Sequence, residues 1–170
     1  MFALHCDEGT VPEPEISLDG TNVSHDLVFR PIESSDFEQI KALHDELFPI
    51  KYDDNFFVKA CQGIGIRDGR IFSSIAVQNG EIIGFVLAQL FDYYSDQVDD
   101  TDLFAFTASK KKVCYIITLG VTKRLRKTGL GTILIKHCAD YATADKECGA
   151  VRIFYFPLPS SLPYLTLSLS

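Results

Sequence analysis

With 170 residues, 46% of them apolar and 23% charged, the chain has the length and composition of one globular domain with room for a real core. A net charge of -7 argues against a protein that tracks nucleic acid through its overall field, because such domains carry a basic excess. Five scattered cysteines without a Cys-x-x-Cys pair, no basic-then-apolar leader and no apolar run of membrane-spanning length lead us to expect a soluble, cytoplasmic chain in a reducing compartment, with no metal site, secretory signal or membrane span.

Residues 1–25 are polar, contain Pro12 and Pro14 and show no period, which predicts a disordered leader. Leu27, Phe29 and Pro31, with Val28 and Arg30 between them, predict a first strand, and Ser35-Asp36-Phe37-Glu38 matches a capping box at a helix start. Phe37, Ile40, Leu43 and Leu47 follow at helical spacing, up to the break that proline forces at Phe48-Pro49. His44 is expected to be an exposed residue of this helix. A second helix is expected from Asp53 to Gln62, burying Phe56, Phe57 and Ala60. Ile75 to Gln78, Asn79-Gly80 and Ile82 to Phe91 together form the strongest hairpin signal, since Asn-Gly accepts the positive φ angles of a type I′ turn. The acidic stretch carrying Asp92, Asp96, Asp99, Asp100 and Asp102 reads as a solvated loop, with attraction of a cationic substrate as the alternative.

Val113 to Val121 is β-branched and almost continuously apolar, as a central strand buried on both faces must be. Leu130, Ile133, Leu134, His137 and Tyr141 share one face of the helix that follows, where His137 reads as a packed structural residue. Cys114 reads as buried, not as a nucleophile. Val151 to Phe156 predicts a further strand. From Pro157 to Ser170 the chain turns to proline, serine and leucine, which argues against a helix or a central strand. The expected organisation is an α/β (mixed α+β) domain over 26–156, with a mixed central sheet flanked by helices, followed by a tail at 157–170.

Between the central strand and its helix lies Arg126-Lys127-Thr128-Gly129-Leu130-Gly131. The first amides of a helix have no intrahelical partner and carry about half a positive charge between them, so strand, basic-glycine turn and helix make a phosphate-binding arrangement. Gly129 and Gly131 keep side chains away from the backbone, while Arg126 and Lys127 add charge beside it. The bland alternative is a helix start that binds sulfate or nothing.

Tyr115-Ile116-Ile117-Thr118-Leu119-Gly120-Val121, followed by Arg126 to Thr132, resembles motif A of the GNAT N-acetyltransferases. Phe48-Pro49-Ile50-Lys51-Tyr52 resembles the loop between the first two helices of N-terminal acetyltransferases of the NatF and NatE (San) types, with NatF the nearer. The resemblance runs from about Leu27 to Ile153 and implies a GNAT fold with acetyl-CoA as co-substrate. It implies that Leu119, Gly120 and Val121 offer backbone groups to the pantetheine arm. Arg126, Lys127, Thr128, Gly129, Leu130, Gly131 and Thr132 would hold the diphosphate. Phe48, Pro49, Tyr52 and Ile117 would line the peptide entrance, and Tyr115 would handle the proton of the reacting amine. Without the resemblance, Tyr115 reads as a core aromatic and the Phe48–Tyr52 loop as a helix stop with hydrophobic plugs.

The implied activity is acetylation of protein N-termini that begin with methionine and an apolar residue, by a monomer whose partners are protein or peptide N-termini. NatF members associate with Golgi or plasma membrane through a C-terminal tail for which the chain shows no counterpart. Two departures stand out. Phe156 occupies the place of the histidine that works with the family's tyrosine, and after Ile153 the family's closing helix and strands have no counterpart, which predicts an open edge at the fifth strand. Some members carry glutamate where Lys51 lies. A truncated, inactive CoA-binding or partner-binding product is therefore one alternative, and lysine or histone acetylation another.

The chemistry of the acceptor bears on that choice. An α-amino group, with a pKa of about 7.7 to 8.0, costs roughly 1 kcal/mol to deprotonate at neutral pH, whereas lysine, at about 10.4, costs about 4 to 5. A site whose evident proton-handling group is a tyrosine suits the α-amine.

Overall fold

The computed structural model of the chain describes residues 27–92, 111–154 and 164–168. The expected leader, the acidic residues beyond Asp92, and Phe156 lie outside the described residues. The described strands, β1 (Val28–Arg30), β2 (Ile71–Gln78), β3 (Glu81–Asp92), β4 (Lys112–Val121), β5 (Cys148–Phe154) and β6 (Tyr164–Ser168), form one sheet in sequential order. Every pairing is antiparallel except β4 with β5, which are parallel and joined through helix α3 (Leu130–Ala144). Helices α1 (Phe37–Leu47) and α2 (Asp54–Cys61) precede β2.

Local chemistry accounts for most of these boundaries. Asn79 (φ 52°) and Gly80 (φ 78°) take the positive angles that a two-residue hairpin demands. The Asp53 carboxylate accepts from the Phe56 amide at 2.8 Å and starts α2. Ahead of α1, the capping interaction sits earlier than Ser35–Glu38. The buried Asp36 carboxylate accepts from the Glu33 amide at 2.8 Å and grips the Arg30 guanidinium at 2.6 and 2.8 Å. That partner lies on β1, so a pattern confined to the helix could not reveal it.

The sheet has a core on each face. On one face Ile40 and Leu43 of α1 and Phe57 and Ala60 of α2 pack against Ile75, Phe85 and Leu87 of the sheet. Against α3 pack Val86, Ala88, Cys114, Ile116 and Val151, met by Leu130, Leu134, Cys138 and Ala142 at every fourth position of the helix. The buried stripe of α3 thus runs along Leu130–Ala142, and Ile133 lies beside it. His137 is a packed residue, with Nδ1 2.9 Å from Ser74 Oγ and its ring edge-on to Phe29 at 4.9 Å. Cys114 is buried with its Sγ 3.7 Å from Cys138 Sγ.

β5 does not end the sheet. β6 pairs along it from Ala150↔Ser168 to Phe154↔Tyr164, which corrects the expected open edge. Tyr-Leu-Thr-Leu-Ser alternates with the period of a strand, and the prolines before it are compatible with an edge position. No described helix is long and apolar enough to cross a membrane.

Candidate active site

A cavity of about 540 Å³ opens between the end of α1, the loop that leads to α2, and the middle of β4. The loop contributes Phe48, Pro49, Ile50 and Tyr52, and β4 contributes the unbroken run Tyr115 to Leu119. Phe91, Ile66 and Ile153 complete the wall, together with His44.

Five consecutive residues of a flat strand cannot face one space, because side chains alternate between the two sides. Two features of β4 allow it. Its pairing with β3 slips between Leu87↔Thr118 and Ala88↔Ile116, so Ile117 is the extra residue of a β-bulge. Its pairing with β5 runs only from Lys112↔Cys148 to Ile116↔Ile153, so among the described residues no strand pairs with that edge of β4 from Ile117 to Val121. The bulge reverses the parity: Cys114 and Ile116 face α3 before it, Leu119 and Val121 after it. Ile117 packs on the α1 side.

The opposite wall is aromatic. His44 stacks on Phe48 at 4.7 Å and lies 4.9 Å from Tyr52 and 5.3 Å from Phe57, and Tyr52 contacts Phe56 at 4.5 Å. His44 is 1% exposed, which overturns its expected place at the surface. The signal was present: Ile40, Leu43, His44 and Leu47 follow the i, i+3, i+4, i+7 pattern of a buried helix face. Burial, reinforced by the positive charge of Lys51 and opposed by Asp45, lowers the pKa of the imidazole. Burial raises that of Tyr52. Lys51 turns back to α1, with its Nζ 2.8 Å from the Asp45 carbonyl oxygen and 3.3 Å from its carboxylate. Tyr115 is buried and meets the edge of Phe91 at 5.7 Å. His44 Nδ1 and Thr118 Oγ1 are each buried without a hydrogen-bond partner. Ile66 is held by the buried Gln89 amide, which accepts from the Ile66 amide at 2.7 Å and donates to its carbonyl at 3.0 Å.

Beyond Val121 the chain makes a 3₁₀ turn and reaches Gly129, which holds φ 90° as it starts α3. No side chain caps this helix and its first turn carries no acidic residue. Arg126 and Lys127 are exposed and form no ion pair with a described residue, whereas Lys123 and Arg124 are paired with Glu46 and Glu81. Around a Cβ added at Gly131, the nearest atom is Val121 Cγ2 at 3.9 Å, so the approach to the helix start is open. The sequence-predicted residues thus form two groups. Tyr115, Ile117, Phe48, Pro49, Tyr52 and Leu119 line the cavity, while Gly120, Val121 and Arg126 to Thr132 follow at the end of β4 and the start of α3.

The acetyltransferase (GNAT) family pattern matches residues 34–157. The chain is 28% identical to "Histone acetyltransferase MCC1" of Arabidopsis thaliana, over 79% of this chain and 55% of that protein. It is 30% identical to "N-alpha-acetyltransferase 60" of Xenopus tropicalis, over 75% of this chain and 52% of that protein. It spans about half the length of the curated relatives it matches. Among solved structures, Arabidopsis thaliana NAA60 in complex with acetyl-CoA aligns with a TM-score of 0.64 and 32% identity, covering 75% of this chain and 73% of that one. Sequence pattern, sheet order and structural likeness agree that the chain belongs to the acetyltransferase (GNAT) family.

Proposed function

We propose that the chain transfers the acetyl group of acetyl-CoA to the α-amino group of protein N-termini, with methionine followed by an apolar residue as its preferred start. The observation that carries this reading is the cavity bounded by the Phe48–Tyr52 loop and the stretch of β4 that no described strand pairs, followed along the chain by an uncapped helix start beside Arg126 and Lys127, which form no ion pair with a described residue. The likeness to NAA60, solved with acetyl-CoA, supports it.

In this reading acetyl-CoA supplies an acetyl thioester, and the chain binds and positions. The free amides at the start of α3, with Arg126 and Lys127, would hold the diphosphate. The edge of β4 from Leu119 to Val121 would receive the amides of the pantetheine arm. Phe48, Pro49, Tyr52 and Ile117 would enclose the acceptor's first side chains in an apolar wall, and Tyr115 would manage the proton of its amine. The domain acts as a monomer in the cytoplasm.

The deciding assay uses purified protein and Met-Leu or Met-Lys peptides, blocked or unblocked at the amino terminus. Product from the unblocked termini, lost about 10²-fold in Tyr115→Phe, is the expected result. Product from the blocked lysine peptide alone would move the chain to lysine acetylation, the reading favoured by its likeness to MCC1. Acetyl-CoA binding without product would make it a CoA-binding module, in keeping with Phe156 at the place of the family's histidine.

A further inference from the structure

Ile50 and Ile66 are exposed large apolar residues, and both line the cavity. Ile50 belongs to the Phe48–Tyr52 loop. Ile66 comes from the turn between α2 and β2, where Ile64 and Arg70 form a short bridge and the Gly65 amide donates to the Gly69 carbonyl. Gln89 of β3 fastens this turn. Its side chain is buried and directs both of its polar groups to one residue: Oε1 accepts from the Ile66 amide at 2.7 Å, and Nε2 donates to the Ile66 carbonyl at 3.0 Å. Gly65 and Gly69 make room for the amide, since a Cβ on the first would collide with Gln89 Oε1 and a Cβ on the second with Gln89 Nε2. Arg67, next to Ile66, is held at φ 51° and ψ 39°, a left-handed conformation unfavourable for a residue with a Cβ.

A single exposed isoleucine is ordinary, but a buried amide, two closely approached glycines and a left-handed residue that together hold one in place are not. The sheet register ties this turn to the deep end of the cavity. Gln89 lies directly opposite Tyr115 across β3 and β4, so their side chains leave the same face of the sheet. The cavity wall also grades from buried to exposed: Tyr115 is 7% exposed and Ile66 41%. An acceptor chain that enters amine first places its first residue at the buried end, and the apolar rim then meets the residue that follows. A leucine there covers apolar surface that an alanine is too short to reach.

We infer that Ile66 is a specificity-determining residue for the acceptor's second side chain, and that Gln89 is the positioning residue that holds it at the cavity rim. The inference rests on the function proposed above and assigns the part of the wall that selects an apolar second residue. Gln89 acts through the Ile66 backbone.

The test is calorimetric binding of unblocked Met-Leu and Met-Ala peptides in the presence of CoA, with steady-state acetylation kinetics, for the full chain and for Ile66→Ala, Ile66→Leu, Gln89→Met and Gly65→Ala. Ile66→Ala removes an exposed side chain and leaves the turn intact. Gln89→Met keeps the length and removes both hydrogen bonds, and Gly65→Ala, in an extended backbone conformation open to alanine, pushes the Gln89 amide aside. Ile66→Ala is expected to weaken Met-Leu binding and raise its KM about tenfold with little change in kcat, and to alter Met-Ala by less than about threefold. Ile66→Leu is expected to stay within about threefold for both peptides. Gln89→Met and Gly65→Ala are expected to show the same selective loss, and neither adds to it when combined with Ile66→Ala. An equal loss for both peptides in Gln89→Met and Gly65→Ala would make the amide a structural support and overturn its positioning role. If Ile66→Ala binds Met-Leu as the parent does, or loses both peptides equally, the second-residue assignment fails while the proposed function stands. If the parent binds the peptides and transfers nothing, the binding ratios still decide the inference and the proposed function falls. If it neither binds nor acetylates them, both fall.

Discussion

Gly120 on β4 and Leu47 at the end of α1 approach so closely that a methyl group on the glycine would lie 2.7 Å from Leu47 Cδ1 and 2.9 Å from Phe85 Cε1. This contact seats the last turn of α1 flush on the sheet, and that turn carries His44 into the cavity wall and leads into Phe48.

Gly120→Ala therefore overpacks the interface and is expected to cost about 1 to 3 kcal/mol, read as a lower urea midpoint. Because Leu47 is the nearest obstacle, the double variant with Leu47→Ala is expected to lose less than the sum of the two single changes.

The clasp between Arg30 and Asp36 ties β1 to the start of α1. Hydrogen bonding from Arg30, aided by the Glu33 amide and opposed by burial, lowers the Asp36 pKa below its ordinary 3.8. The unfolded chain then takes up a proton before the folded one does. The stabilisation is complete above the ordinary pKa and is lost as pH falls through the folded value. Asp36→Asn is expected to remove this acid-dependent part, seen as a shallower decline of the urea midpoint below about pH 4. Asp36→Ala is expected to cost about 2 kcal/mol at neutral pH, a figure held down by the partial exposure of Arg30.

His44 behaves with the opposite charge logic. Its pKa is lowered, chiefly by burial, from the ordinary 6.5, so below that pH the unfolded chain binds a proton that the folded chain refuses. Stability is unaffected by this group above the ordinary value and falls as pH drops from there towards the folded pKa. Replacing His44 with Phe should flatten the urea midpoint between about pH 7 and 5.5. A parent-like slope in the variant would assign the acid sensitivity to other groups.

At Gly129 the backbone, not space, is limiting. A Cβ there meets nothing within 4 Å, but φ is 90°. Gly129→Val is expected to cost about 1 to 2 kcal/mol through left-handed strain, and to abolish CoA binding by calorimetry under the proposed function. Arg126→Ala and Lys127→Ala should each weaken CoA binding several-fold at low salt and by less at high salt, as expected for exposed charges. Unchanged affinity in all three variants would remove the diphosphate assignment.

Much of this fold is legible along the chain because its causes are local. Asn79-Gly80 specifies a hairpin through its own φ angles, Phe48-Pro49 ends α1 where proline cannot continue it, and Gly129 starts α3 in a conformation other residues resist. The Tyr115–Val121 strand, the turn after it and the Phe48–Tyr52 loop could be read in the same way, as could the family they resemble. Tertiary structure alone decided that β4 bulges at Ile117 and leaves β5 at Ile116, so that five neighbouring residues border one cavity. It also decided that Asp36 answers to Arg30, that β6 covers the edge of β5, and that His44 of α1 and Thr118 of β4 border one space. The physical reason is common to all of these. Backbone preference is set by a residue and its neighbours, whereas burial, strand register and the partner of a polar atom depend on segments that meet only when the sheet closes around its core.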